Sequence, residues 1–186
     1  VLQAGAGQAP ARQVALGCGM PNSTPCTTIN KVCGSSLKAV MIAATEIRAG
    51  ISELVVAGGM ESMSNAPRFI RDARRGEDVP FKSLLSILSH DGLTDAYSGE
   101  LMGNTGETCA LEYGISREQS DAYSIRSHEL SAEGWENGEI GKECVSMEEL
   151  SIDEGIRMDA DMSTLISLKP VFSEDGQVTA GNASQV

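Results

Sequence analysis

Residues 28–36 read TINKVCGSS and place Cys33 between a strand-like segment and a helix-like one. Thr27–Val32 is rich in β-branched residues, a composition typical of a buried strand. From Leu37 to Ile47 the apolar residues recur at steps of three and four, which predicts a helix that ends near Gly50. The run therefore predicts an α/β fold with Cys33 at the start of a helix.

A cysteine at a helix start is a candidate nucleophile. The unpaired backbone N–H groups and the positive end of the helix dipole stabilise a thiolate there, and Gly34 removes a side chain that would hinder approach to the sulfur. The alternative is a buried thiol that acts as a small apolar side chain, which is the commoner role of a free cysteine. Position alone leaves both interpretations open.

Composition argues against several classes of partner. The 186 residues carry 14 basic and 26 acidic side chains, and the net charge of −12 argues against nucleic acid. No apolar run reaches the ~18 residues of a membrane span, so no membrane partner is expected. The five cysteines form no Cys-x-x-Cys pair and have no histidine at metal-ligand spacing, so no metal site is expected. This cysteine usage predicts a reducing compartment.

Hydrophobic periodicity and capping residues predict the other elements. Ser116 and Gln119 have the spacing of a capping box, and Gly114 and Gly138 are placed to end helices. Residues 139–178 are predicted to be mostly irregular. The predicted elements are a helix at Ala11–Gly17, a buried strand at Leu54–Ala57, and helices around Lys82–His90, at Asn104–Tyr113 and at Arg117–Trp135.

Three runs of the chain resemble segments of the thiolase family. NKVCGSSLKAV at 30–40 resembles the segment that carries the acyl-binding cysteine, VVAGGMESMS at 55–64 is similar to the second hallmark of the family, and VTAGNAS at 178–184 to a third. The similarity extends from Gln3 to the last residue and is nearest to the acetyl-CoA acetyltransferases. The resemblance implies an incomplete thiolase-like α/β fold. Residues 1–62 would form part of the N-terminal core, and residues 63–186 the loop domain, which forms the coenzyme A pocket and returns to the core at its end.

The resemblance also implies which residues bind the substrate. Arg157 matches an arginine beside the adenine end of coenzyme A, and Ala180 and Ser184 match contacts to the pantetheine arm. Met102 matches a methionine that lines the acyl pocket, whereas Leu101 stands where many short-chain biosynthetic thiolases have histidine, so the acyl-chain preference stays open. The apolar walls of the substrate tunnel are matched by Leu93, Leu168 and Phe172.

The implied reaction is ping-pong acyl transfer through Cys33, with the acyl group held as a cysteinyl thioester. The substrates would be two acetyl-CoA molecules, or acetoacetyl-CoA and coenzyme A in the reverse direction, with no covalently bound cofactor. A homodimer or homotetramer in the cytoplasm is expected of the complete protein. The mitochondrion and the peroxisome stay open as alternatives, because the start of the family's fold is missing.

The family's catalytic base is not found in this chain. Its Cys-x-Gly-Gly and Gly-His-Pro segments are missing, and the only histidines, His90 and His128, do not precede a proline. About half of a thiolase is therefore expected, inactive alone. The alternatives are a non-catalytic acyl-CoA-binding fragment, one subunit of a split thiolase, a 3-ketoacyl-CoA thiolase with a longer chain preference and, less well matched, a β-ketoacyl synthase.

Overall fold

The computed structural model describes residues 1–70, 80, 84–147 and 150–185. They form two compact units, Val1–Ala96 and Tyr97–Val186. This division separates the two parts of the chain that each pack compactly. The division predicted after residue 62 separates a core segment from a coenzyme A-binding segment, and it stays a prediction. None of the helices in the described part of the chain is long and apolar enough to cross a membrane.

Two helices form the start of the first unit. Helix α1 (Pro10–Gly17) begins with a proline, a residue whose fixed φ suits the first helical position. Helix α2 (Ser35–Arg48) follows Cys33 and ends before Gly50, which has the left-handed φ of 70° that glycine tolerates. Both predicted helices are confirmed.

The apolar stripe of α2 is largely exposed, and the described residues of the first unit leave most of it uncovered. Ala43 is its one buried residue, while Leu37 is 68% exposed and Val40 52%. Helical periodicity shows which residues share a face, but it does not supply the surface that covers them. The stripe is consequently an apolar surface with little protein packed against it.

The described residues contain little β-structure. Strand β1 (Arg68–Phe69) pairs antiparallel with β2 (Leu85–Ser86), and a π-helical turn at Leu88–Gly92 follows. The strands predicted at 27–32 and 54–57 do not form, and Leu54 and Val56 are 85% and 83% exposed. A strand needs a neighbour to take up its N–H and C=O groups, and the described part of the chain places none beside these segments. The helix predicted around Lys82–His90 is also wrong apart from the π turn, although residues 82 and 83 lie outside the described ranges.

The second unit is helical. Helix α3 (Met102–Tyr113) ends at Gly114, whose φ of 64° is left-handed, and α4 (Arg117–Glu136) begins with the predicted capping box between Ser116 and Gln119. A 3₁₀ turn at Ile140–Glu143 and the short helix α5 (Met162–Ser167) follow within the region predicted as irregular. The predicted helices α3 and α4 are confirmed. The sequence does not predict α5, because six residues carry too little periodicity to be distinguished from a loop.

Candidate functional site

Cys33 lies two residues before α2 in a turn that its neighbours hold by hydrogen bonds. The backbone N–H of Val32 donates to Asn30 Oδ1 at 2.7 Å, and that of Lys31 to Ser35 Oγ at 2.9 Å. The Ser35 hydroxyl also donates to the carbonyl of Val32 at 2.6 Å. Side chains on both sides of Cys33 thus fix the backbone that leads into the helix.

The backbone at Val32 is strained. Its φ of 48° lies in the left-handed region, which β-branched residues rarely adopt and which costs on the order of 1–3 kcal/mol. Such strain persists only where surrounding interactions hold it, as the Asn30 and Ser35 side chains do here. The turn brings an exposed Cys33 to the start of α2. This is the position that the sequence predicts for a nucleophile.

The run at 58–62 packs against the first turn of α2. A Cβ atom on Gly59 would overlap the hydroxyl of Ser36, so the glycine lets the two segments approach closely with the Ser36 side chain in its present rotamer. Beyond it, Glu61 accepts hydrogen bonds from the backbone N–H groups of Leu2 at 3.0 Å and Ser62 at 3.2 Å. Two of the three family-like runs are therefore adjacent in the structure.

Cys33 is expected to be the first cysteine that iodoacetamide alkylates near neutral pH. Exposure alone does not distinguish it, because Cys18, Cys109 and Cys144 are also exposed. Its position does, since a thiolate is stabilised before a helix and destabilised after one. Cys18, directly after α1, is the matched comparison. Peptide mapping by mass spectrometry measures the order, and faster labelling of Cys18 or Cys109 would contradict the assignment.

In the second unit, the turn at Thr179–Ser184 carries the predicted pantetheine contacts. The backbone N–H of Ala183 donates to the carbonyl of Thr179 at 3.0 Å, and that of Gly181 to Thr179 Oγ1 at 3.1 Å. Thr179 is fully buried, whereas Ala180 and Ser184 are exposed. The buried threonine thus anchors a turn whose predicted ligand contacts lie at its surface.

Leu168 packs on this turn. A Cβ atom on Gly181 would lie 2.7 Å from Leu168 Cδ1, so the glycine allows the leucine to approach the backbone. Leu168 directly follows α5, which Asp161 caps by accepting from the Thr164 N–H at 2.8 Å. Hydrogen bonds from the Ser163 hydroxyl and from Thr164 lower the pKa of Asp161 from 3.8 to about 2. The structure therefore brings one predicted wall residue together with the predicted pantetheine contacts.

Phe172 packs on the start of α3. A Cβ atom on Gly103 would overlap the Phe172 ring, so the ring lies against the backbone next to Met102. Leu101 and Met102 are 43% and 41% exposed. The structure thus joins Phe172 to the segment that carries Leu101 and the predicted acyl-pocket residue Met102.

Gly103→Ala is expected to lower the free energy of unfolding by about 1–3 kcal/mol, because the added methyl displaces the Phe172 ring. The control is Gly17→Ala, a helical glycine with no atom within 4 Å of its added Cβ. That change should be neutral or stabilise by up to about 1 kcal/mol. Urea unfolding followed by circular dichroism measures both. Equal effects of the two substitutions would show that Phe172 does not occupy the space beside Gly103.

The segment around Arg157 is tied to two other parts of the second unit. The backbone N–H of Arg157 donates to His128 Nδ1 at 3.2 Å, and Gln185 Nε2 donates to the carbonyl of Gly155 at 2.6 Å. Arg157 itself is exposed. The bond from Gln185 connects this segment to the residue that follows Ser184. His128, which does not match the family's Gly-His-Pro histidine, therefore has a local structural role as the acceptor of the Arg157 N–H.

The remaining predicted wall residue belongs to the first unit. Leu93 ends the π turn, donates its backbone N–H to the carbonyl of Leu88 at 3.1 Å and is half-buried. In the described residues, no group of three or more histidine, cysteine, aspartate or glutamate side chains is arranged to hold a metal ion.

The comparisons identify the family of the chain. Residues 1–186 match the model described as the thiolase N-terminal domain. The chain belongs to the thiolase family. Acetyl-CoA acetyltransferase 2 of Arabidopsis thaliana is 47% identical over 197 residues, which cover 100% of this chain and 49% of that protein. Acetyl-CoA acetyltransferase of Chromobacterium violaceum is 44% identical over 195 residues, which cover 100% of this chain and 50% of the relative. This thiolase chain spans about half the length of the curated relatives it matches.

A solved thiolase has the same fold over this length. The Acat5 thiolase of Ascaris suum, crystallised in complex with coenzyme A, matches 98% of this chain with a TM-score of 0.88 and 38% identity. The match covers 48% of that chain. The predicted thiolase-like fold is thus confirmed in part: the chain is a thiolase N-terminal domain that matches half of a thiolase structure. The sheet expected of an α/β fold is small, because the described residues are mostly helical.

Proposed function

We propose that this chain supplies the nucleophile and the coenzyme A contacts of an acetyl-CoA acetyltransferase. The reaction would be the thiolase-type Claisen condensation of two acetyl-CoA molecules to acetoacetyl-CoA and coenzyme A, or the reverse thiolysis. The observation that carries the proposal is an exposed Cys33 on a strained turn before α2, in a chain of the thiolase family. The acetyl-CoA acetyltransferases among its relatives support the choice of substrate.

Cys33 would act in both half-reactions. Its thiolate attacks the thioester carbonyl, the bond between the acyl carbon and the coenzyme A sulfur breaks, and coenzyme A leaves while the acyl group stays on Sγ. The backbone N–H of Cys33 would help to hold the oxyanion. A second acetyl-CoA then loses an α-proton to a base, and its carbanion attacks the acyl carbon and releases the Cys33 thiolate. The base is not assigned to these 186 residues.

The coenzyme A contacts are proposed residue by residue. Arg157 would lie beside the adenine end, and Ala180 and Ser184 beside the pantetheine arm. Met102 would line the acyl pocket, where a flexible thioether suits an irregular apolar cavity, and Leu101 would lie near the thioester end of coenzyme A. Leu93, Leu168 and Phe172 would form the apolar walls. The packing of Leu168 on Gly181 and of Phe172 on Gly103 supports the grouping within the second unit.

One observation favours a second candidate. The stripe of α2 around Leu37 and Val40 is exposed, as expected for a chain that functions only with a complementary chain on its apolar face. The chain would then be one subunit of a split thiolase, or an acyl-CoA-binding module without catalysis of its own.

For the complete protein, a homodimer or homotetramer in the cytoplasm stays the proposal.

Arg157→Ala is expected to weaken binding of coenzyme A by about tenfold, which corresponds to the loss of one charge-assisted contact. It should leave the affinity for a truncated pantetheine thioester almost unchanged, because only the full cofactor extends to the adenine end. Isothermal titration of the 186-residue chain with both ligands measures the difference.

The matched control is Arg126→Ala, which removes an exposed arginine from α4 in the same unit. It should leave both affinities unchanged. Equal losses for the two ligands in Arg157→Ala would place Arg157 outside the binding site. Failure of the unsubstituted chain to bind coenzyme A would count against the proposed function itself.

A further inference from the structure

Asp121 is a buried carboxylate that takes no direct part in the proposed reaction. It lies in the first half of α4 and, like Thr179, is fully buried. Its Oδ2 accepts from Arg117 Nε at 2.7 Å, and its Oδ1 accepts from Asn182 Nδ2 at 2.9 Å. A buried carboxylate is costly unless hydrogen bonds compensate it, and these two bonds provide that compensation.

Each partner of Asp121 reaches a different part of the proposed coenzyme A site. Arg117 Nη2 donates to the carbonyls of Leu165 and Leu168, the latter at 3.2 Å. Asn182 Nδ2 also donates to the carbonyl of Gln177 at 2.8 Å. One carboxylate therefore connects α4 to the backbone of the proposed tunnel wall and to the turn that carries the proposed pantetheine contacts.

The turn depends on the orientation of Asn182. Its Oδ1 accepts from the backbone N–H of Thr179 at 2.8 Å, so its amide nitrogen must point the other way, toward Asp121 and Gln177. Asp121 can only accept when it is ionised, and it therefore selects this orientation of the Asn182 amide. Asn182 lies between the two exposed contact residues, Ala180 and Ser184, in the chain.

We propose that Asp121 is a positioning residue for coenzyme A. Through Asn182 it holds the Thr179–Ser184 turn, and through Arg117 it holds Leu168 against that turn, so that the pantetheine contacts and the tunnel wall keep one geometry. This role rests on the proposed function, because it names coenzyme A as the ligand that is positioned. The sequence offers one sign of it, the four-residue spacing of Arg117 and Asp121 on a helix.

The test uses Asp121→Asn in the 186-residue chain. An asparagine has one acceptor oxygen and a donor amide, so it places a donor against either Arg117 or Asn182. We expect the dissociation constant for coenzyme A to rise by about tenfold. The titration is done at a temperature at which circular dichroism shows the variant to be as folded as the original. Glu133→Gln, which removes an exposed carboxylate from the same helix, should change nothing.

A second substitution separates positioning from stability. In Asp121→Asn with Asn182→Asp the donor and acceptor are exchanged, so the bond between the two side chains and the bond from Thr179 can both form again. The bond to the Gln177 carbonyl is lost, and Arg117 keeps a neutral acceptor at residue 121 in place of a carboxylate. We expect the double variant to bind coenzyme A at least about threefold more tightly than Asp121→Asn alone. A role in stability alone predicts no such recovery of affinity.

Each outcome decides between the proposals. If the original chain binds coenzyme A and Asp121→Asn binds it equally well, Asp121 has no positioning role, and the proposed function stands. If the double variant binds no better than the single one, the role of the Asn182 bond is likewise overturned. If the original chain binds no coenzyme A, the proposed function and this role both fall.

Discussion

Cys33→Ser is expected to abolish acylation of the chain by acetyl-CoA, with a loss of at least ~10³-fold in the rate of covalent labelling. A serine hydroxyl stays protonated at neutral pH, and the start of α2 does not compensate for a weaker nucleophile. Coenzyme A affinity should be retained, because the proposed pantetheine and adenine contacts are other residues. The assay is acid precipitation after incubation with radiolabelled acetyl-CoA, in the presence of the C-terminal half of a related thiolase.

Cys109→Ser is the control for this substitution. Cys109 is exposed but lies inside α3, so its loss should leave the labelling unchanged. Covalent label that persists in Cys33→Ser and disappears in Cys109→Ser would assign the nucleophile to α3. It would also mean that the strained backbone at Val32 has no role in catalysis.

The chain alone is expected to show neither condensation nor thiolysis. The α-carbon of a thioester is a weak acid, and a general base and an oxyanion site each contribute on the order of 10²-fold or more to the rate. The segments that carry the base in this family are not among the 186 residues. Loss of acetoacetyl-CoA absorbance after addition of coenzyme A measures thiolysis.

The same assay with a thiolase C-terminal half separates the catalytic proposals from the non-catalytic module. Activity that appears only in the mixture would support an acetyltransferase, whether undivided or split. Thiolysis by the lone chain above the buffer rate would show that it contains a base which neither sequence nor structure has identified. Binding of coenzyme A without activity in the mixture would favour the non-catalytic module.

The exposed apolar residues predict how the lone chain behaves during these experiments. Leu54 and Val56 are more than four-fifths exposed, and they belong to a segment that composition predicts as a buried strand. Unpaired strand-forming segments associate readily. The lone chain should therefore self-associate, and the C-terminal half should suppress this association if it covers the segment.

Local interactions explain what sequence alone could predict about this protein. Helices α1 to α4 are specified by periodicity, by the Ser116–Gln119 capping box and by the glycines at 50 and 114, all of which act within a few residues. The placement of Cys33 before α2 follows from the same signals. The family was recognisable from three short runs, because these runs combine unusual residues in a defined order.

Only the tertiary structure decided the contacts between residues that are distant in the chain. The strands predicted from composition do not form in the described residues, because their stability depends on neighbours that local composition does not specify. Asp121 and Asn182 are 61 positions apart, and His128 and Arg157 are 29 apart. No local pattern links such pairs, since the free energy that brings them together comes from burial and from hydrogen bonds that exist only once the chain has folded.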